Sequence, residues 1–281
     1  MSPNPGRRAC LAAALALPFV ASRSRAAGTT WSLAIVPQYP AAKLHRDWTP
    51  LVDRMARLTG VRLALKLAPD IPSFEKDVLS GGADLAFLNP YHQVMARRQQ
   101  GFVPLVRDST HLSGILVVRR DDPIRAPSEL EGKELAFPAP NAFGASLWMR
   151  ALLAEREKVN IRPSYVQTHS NVYRQVAAGR FAAGGGIRQT LAQEREETRE
   201  AVRVLLETPG VAPHPLSAHP RVPPEVRKAV ADTVLQLAAD AEGQSMLQAM
   251  QMPAPVAADQ QRDYAPLERF RLERYVVSSV T

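Results

Sequence analysis

The feature that most constrains this chain is a repeated one: a short apolar run that passes without a linker into a helix-start signal. Residues 83–88 lead straight into Asn89-Pro90-Tyr91-His92. Asn89 suits the cap there and Pro90 the first helical turn, where a missing N–H costs nothing. The junctions at 140–146, after the run 135–137, and at 168–171, after 165–167, have the same character. Strands alternating with helices in this way pair largely in parallel under helical layers, so the predicted fold class is α/β. With 281 residues, 46% apolar and 22% charged, the chain is too apolar for disorder and long enough for two such units.

The N-terminus stands apart. Arg7 and Arg8 precede an uncharged stretch at 9–21, and Ser24-Arg25-Ala26 follows. That is the layout of a secretory signal peptide over 1–26. Its apolar part, interrupted by Pro18, is shorter than the roughly 18 residues of a membrane span. Cleavage removes four arginines and no acid, so the formal charge falls from +8 to +4. No basic stripe with interleaved aromatics remains, and no nucleic-acid partner is expected. The single cysteine, Cys10, lies in the leader, which leaves a mature chain without disulfides or thiolate chemistry. The expected product is soluble and periplasmic, exported by the Sec or the Tat route.

Periodicity and punctuation divide the rest. Strands are predicted at 32–36, 61–67, 83–88 and 115–118, and helices at 50–59, 74–79 and 90–100. Thr49 caps the first of these helices and Pro50 opens it. The Pro-containing connection 119–128 is taken as the first crossing between units. A second series follows, with strands at 135–137, 165–167, 181–183 and 202–206 and helices at 146–155, 171–178 and 189–197. The Pro-rich segment 208–215 leads back, a helix follows at 225–238, and 264–277 is read as helices packing on the first unit. The expected division is 29–116 plus 217–281 for lobe one and 117–216 for lobe two.

Each strand-to-helix junction sits at the carboxyl end of a strand, where open α/β sheets place ligands. A helix N-terminus there has unpaired N–H groups and a partial positive charge, suited to a ligand oxygen. The candidate ligand-binding residues are therefore Asn89, Tyr91, His92, Asn141, Ser146, Thr168, His169, Ser170 and Arg188. Arg188 follows Gly184-Gly185-Gly186 and offers a fork for a carboxylate or phosphate.

The mature chain resembles, end to end, the phosphonate/phosphite/phosphate-type solute-binding proteins of ABC importers. The resemblance is carried by 49–52 (TPLV), 83–91 (ADLAFLNPY), 114–119 (GILVVR), 130–137 (LEGKELAF), Thr168-His169 and 213–216 (PHPL). It implies a type II periplasmic binding fold: two lobes, each a mixed, mostly parallel sheet flanked by helices, closing by a hinge on a ligand between them. It also implies a ligand loop of the form Asp-Pro-x-Ser-Thr-Ser-Gly, which here reads Ala139 to Ala145 with Ala142, Phe143 and Gly144 at the hydroxyl positions. A tyrosine usual after Pro-Asp is Ile71 here. His169 matches an oxyanion-contacting histidine, followed by Ser170 in place of an acid.

The expected function is capture of a small polar or anionic solute, with phosphonate-like oxyanions as the leading class, for an ABC permease; the alternative is a ligand sensor reporting to a membrane receptor kinase. The glycine run has neither the Lys-Ser/Thr of a phosphate-binding loop nor dinucleotide spacing. No Gly-x-Ser-x-Gly or His-Glu-x-x-His is present, so no enzyme is expected. Neither a cofactor nor a metal site is expected, and a monomer is.

Overall fold

The structure, a computed structural model, describes residues 28–277. The proposed signal peptide at 1–26 lies outside the described residues. Two sheets organise the chain. The first has strand order β11-β4-β10-β3-β1-β2, built from β1 (Thr30–Ile35), β2 (Arg62–Leu67), β3 (Leu85–Phe87), β4 (Val103–Asp108), β10 (Pro215–Ala218) and β11 (Pro255–Ala257). The second has the order β7-β6-β8-β5-β9, from β5 (Gly114–Arg119), β6 (Glu134–Phe137), β7 (Arg162–Tyr165), β8 (Ala183–Ile187) and β9 (Val202–Glu207).

Each sheet is mixed: β2-β1-β3 and β7-β6-β8 are parallel, whereas β10 and β5 run antiparallel to their neighbours. The cause is connectivity. Strands β3 and β8 end at the middle of the molecule, and β10 and β5 start there, so each enters its sheet in the opposite sense.

Helix α1 (Ala41–Thr59) corrects the expected start at Pro50. It begins after Pro40, and Pro50 lies inside it. Leu44 and Trp48 are buried one turn earlier, with the Trp48 ring 4.9 Å from Phe87. Burying Trp48 and Leu44 together contributes about 4–5 kcal/mol, more than the about 3 kcal/mol that a proline inside a helix costs. Thr49 does not cap; its hydroxyl donates to the His45 carbonyl at 2.6 Å. Replacing Pro50 by Ala should raise stability by about 2 kcal/mol, or roughly 4–8 °C in thermal midpoint. A midpoint that stays put or falls would contradict this account.

The helices α2 (Ile71–Leu79), capped by Asp70, and α3 (Pro90–Gln100), capped by Asn89 and closed by left-handed Gly101, lie where the sequence places them. So do α5 (His169–Ala177), capped by Thr168, and α8 (Pro224–Gln236). The helix expected at 146–155 is α4 (Trp148–Leu152), extended on both sides by single π-helical turns at Phe143–Leu147 and Leu153–Glu157. The segment expected as one helix at 189–197 divides into α6 (Arg188–Ala192) and α7 (Glu196–Ala201). Helix α9 (Ala241–Ala249) completes lobe one.

Three further expectations are corrected. The strand expected at 181–183 lies at Ala183–Ile187, so that the glycine run forms the body of β8, between β6 and β5. A Cβ on Gly184 would lie 2.4 Å from Val172, one on Gly185 1.8 Å from the Ala145 carbonyl oxygen, and one on Gly186 2.0 Å from the Tyr173 hydroxyl. Close approach on both faces, from α5 and from the 142–147 turn, therefore requires glycine.

The first crossing is not 119–128. Strand β5 bonds wholly within the second sheet, so the chain crosses at 109–113 and returns at 208–214. The two crossings pair through Leu112 and Val211, whose N–H and C=O groups exchange bonds of 2.8 and 3.1 Å.

The C-terminal segment also differs from expectation. It is a π-helical turn followed by 3₁₀ turns and packs on both lobes. Gln93 of α3 donates to Gln260 and the Tyr264 hydroxyl to the Pro213 carbonyl. Beyond these, Phe270 lies 4.8 Å from Trp148 and Arg150 donates to the Tyr275 carbonyl.

Candidate functional site

The carboxyl ends of β1, β3, β6, β7 and β8 all face the space between the lobes. Lobe one supplies Val36 and Gln38 after β1, and Asn89 after β3. Lobe two supplies 142–145, His169 and Ile187, and the return crossing adds His214. Of the three predicted junctions, then, all three meet in one cleft. The cleft is closed down at its centre, where these residues enclose a cavity of about 10 Å³, no more than the room of one water. Ala139, Ala142 and Ala145 pack directly on the lobe-one core; of these, Ala142 stands at one of the resemblance's hydroxyl positions.

The polar groups of this centre are buried and mostly paired. Asn89 accepts from the His92 N–H at 2.7 Å and donates across the cleft to the Asn141 carbonyl at 3.3 Å. His169 Nδ1 lies 3.2 Å from the Thr190 hydroxyl, itself 2.7 Å from the Tyr173 hydroxyl. Tyr173 accepts from the Ile187 N–H and donates to its carbonyl, both at 3.0 Å. His214 Nε2 lies 3.1 Å from Gln38 Nε2, and its ring stacks on Phe87 at 5.4 Å. His92 Nδ1 has no partner. Burial pushes His92 and His214 down to about 3 and His169 to about 4. At neutral pH all three are uncharged.

The remaining predicted residues divide plainly. Asn141 reaches the interface between lobes but spends its amide there, donating to Glu75 at 2.9 Å and the Val277 carbonyl at 3.1 Å. Its oxygen accepts from the Val277 N–H. Ser146 is fully buried and accepts from Arg150. Tyr91 lies in an apolar cluster with Leu267 and Leu272, away from the cavity. Thr168 caps α5 and with Ser170 lines a wide outer groove shared with Tyr39 and Lys43 of lobe one. Arg188 faces away, half-exposed and held by a bidentate pair with Glu207.

Gln38, Tyr173, Thr190 and His214 were not among the predicted residues. His214 carries the one usable signal, its place in the PHPL stretch. Beside the sealed centre, on the hinge side, lies a pocket of about 260 Å³ that shares Ile187 and His214 with it. Among the described residues no group of three His, Cys, Asp or Glu is placed to hold a metal, and no helix is long and apolar enough to cross a membrane.

Two sheets, a pair of mutually bonded crossings and a cleft between strand ends define a two-lobed, hinge-closing solute-binding protein. More narrowly, the chain belongs to the family described as ABC transporter, phosphonate, periplasmic substrate-binding protein, whose model matches residues 33–264. It is 24% identical over 134 residues to the phosphate-import protein PhnD of Mycolicibacterium smegmatis, a match spanning 45% of this chain and 42% of that relative. The structure of PhnD1 from Prochlorococcus marinus in complex with methylphosphonate superposes with TM-score 0.78 at 12% identity, covering 88% of this chain and 99% of that one. A binding protein component of an ABC phosphonate transporter from Pseudomonas aeruginosa gives 0.77 at 15% identity, over 88% and 87%. Family members are periplasmic solute-binding proteins rather than enzymes.

Proposed function

We infer that this chain is exported, captures a small solute between its lobes by hinge closure and presents it to the permease of an ABC importer. The observation that carries this reading is the paired double crossing at Leu112 and Val211 beneath a cleft lined from both lobes. Two short segments bonded to each other allow rotation about one axis while keeping each sheet rigid. The cleft residues bind and orient; nothing in the role requires bond-making chemistry.

The names of the relatives make methylphosphonate and phosphate the first compounds to offer. Cleavage of the leader leaves no cysteine, so spin labels can be placed at will. With Arg62→Cys and Lys133→Cys, at the ends of the two sheets remote from the cleft, pulsed electron resonance should show two distances without solute and one with it. A single distance under every condition would overturn hinge capture.

A further inference from the structure

The pocket beside the hinge has a chemistry that the family name does not suggest. Its polar lining is Asp108 at the end of β4, Thr110 in the first crossing, Gln248 and Gln251 from lobe one, Gln189 and Gln193 from lobe two, and His214. No lysine or arginine is among its lining residues, and the histidine is uncharged at neutral pH. Phe87, Leu112, Ile187 and Pro253 supply apolar wall.

Two groups in it are short of hydrogen-bond donors. Asp108 is 4% exposed, and each of its carboxylate oxygens accepts one backbone N–H at 2.7 Å, from Thr110 and from Ala254. No cationic side chain among the described residues pairs with it. A carboxylate has about four acceptor positions, so this one keeps capacity, and a charge buried without a counter-charge favours any cation or donor that reaches it. On the opposite lobe, the Gln189 side-chain oxygen is buried with no partner. Buried acceptors of that kind ordinarily find donors. The two lie on different lobes, so a single solute would engage both only when the lobes are together.

The sealed centre likewise has no lysine or arginine in its lining. Ala142, Phe143 and Gly144 bring no side-chain donor to it; Arg150, the arginine nearest to them in sequence, is committed to Ser146 and to the Pro140 and Tyr275 carbonyls, and Arg188 to Glu207. An oxyanion in the cleft would thus meet neutral histidines, a sealed turn and the like charge of Asp108.

We propose that the hinge-side pocket is the solute subsite and that it takes an uncharged or cationic nitrogen compound, an amine or amide whose N–H groups meet Asp108 and Gln189, in place of an oxyanion. The proposal rests on the solute-capture reading above and narrows its ligand class. Gln248, Gln251 and Gln193 then serve as adaptable partners, since an amide side chain can both donate and accept. The string Gln251 to Gln38 at 3.4 Å and Gln38 to His214 at 3.1 Å links this pocket to the cleft centre.

The test is titration calorimetry on the mature protein with two arms, agmatine, putrescine and nicotinamide against methylphosphonate and inorganic phosphate. At least one amine or amide is expected to bind. Gln189→Leu should weaken it at least tenfold, and Asp108→Asn should weaken a cationic compound more than nicotinamide. The thermal midpoint of each variant, taken alongside, shows that it is folded. Binding confined to the oxyanion arm, no binding in the amine and amide arm, or amine binding that neither substitution changes would each overturn the proposal. None of these touches the hinge reading, which stands or falls on the two spin-label distances.

Discussion

Lowering the pH from 7 to 5 is expected to remove about 2 kcal/mol of folding stability for each of His92, His169 and His214. All three are buried and neutral, with folded values near 3 or 4 against 6.5 for a free imidazole. Between about pH 6.5 and 4 the unfolded chain therefore binds protons that the native protein does not, and stability must fall as the pH falls. The limiting slope is about 1.4 kcal/mol per pH unit for each histidine. His214 adds to the effect through its neighbours, because a charge on His169 or His92 disfavours one on His214.

One group acts in the opposite sense: burial raises the Glu75 carboxyl, so its protonation favours the folded state at the acid end. Urea unfolding at pH 7, 6 and 5 would show the loss. Substituting His169 by Gln should flatten the profile by one histidine's share. A profile already flat in the native sequence would mean that these rings are charged, or that acid opens the cleft without unfolding the lobes.

Gly185→Val should destabilise the second lobe by about 3 kcal/mol or more. The Cβ of any larger residue would sit 1.8 Å from the Ala145 carbonyl oxygen and 2.6 Å from the Phe137 ring. Strand β8 is bonded to β6 on one side and β5 on the other, so its backbone cannot retreat. The neighbour that must move is the turn forming the floor of the cleft, which makes loss of solute binding an accompanying result. Denaturant midpoints measured by tryptophan fluorescence report the effect, since Trp148 directly follows that turn. An unchanged midpoint would show that the turn does not pack on β8 as described.

The local signals in the sequence were reliable because their physics is local. Asn89 with Pro90, Gly101 and Thr168 each satisfy or free backbone groups within a few residues, and each does so in the structure. Pro50 misled for the opposite reason: its cost is local, but Trp48 and Leu44 are buried by residues far away in sequence. The glycine run misled because a strand of glycines has no side-chain alternation to read. Its meaning lies in what touches it, Val172, Tyr173 and Ala145, and no sequence pattern shows that.

The same division holds for the cleft. His169 is at a junction and could be named from sequence, whereas Gln38 and His214 come from extended segments without helix-start signals. Arg188 looked suited to a ligand until Glu207, nineteen residues on and two strands across the sheet, was placed beside it. The Asn141 amide was similarly claimed by Glu75 and Val277, partners on two other parts of the chain. Residues with strong hydrogen-bonding capacity are the ones most easily taken by the fold itself.

The last turns of the chain stitch α3, the Pro213 carbonyl and the Trp148 helix together. A tail fastened to both halves works as a leash, limiting how far they can swing apart. Any free energy it contributes only when the halves are shut is added to the grip on whatever lies between them, since fewer molecules then stand open and unable to hold cargo. Holding strength in such a protein can be tuned at Phe270 or Tyr275, which need never touch the cargo.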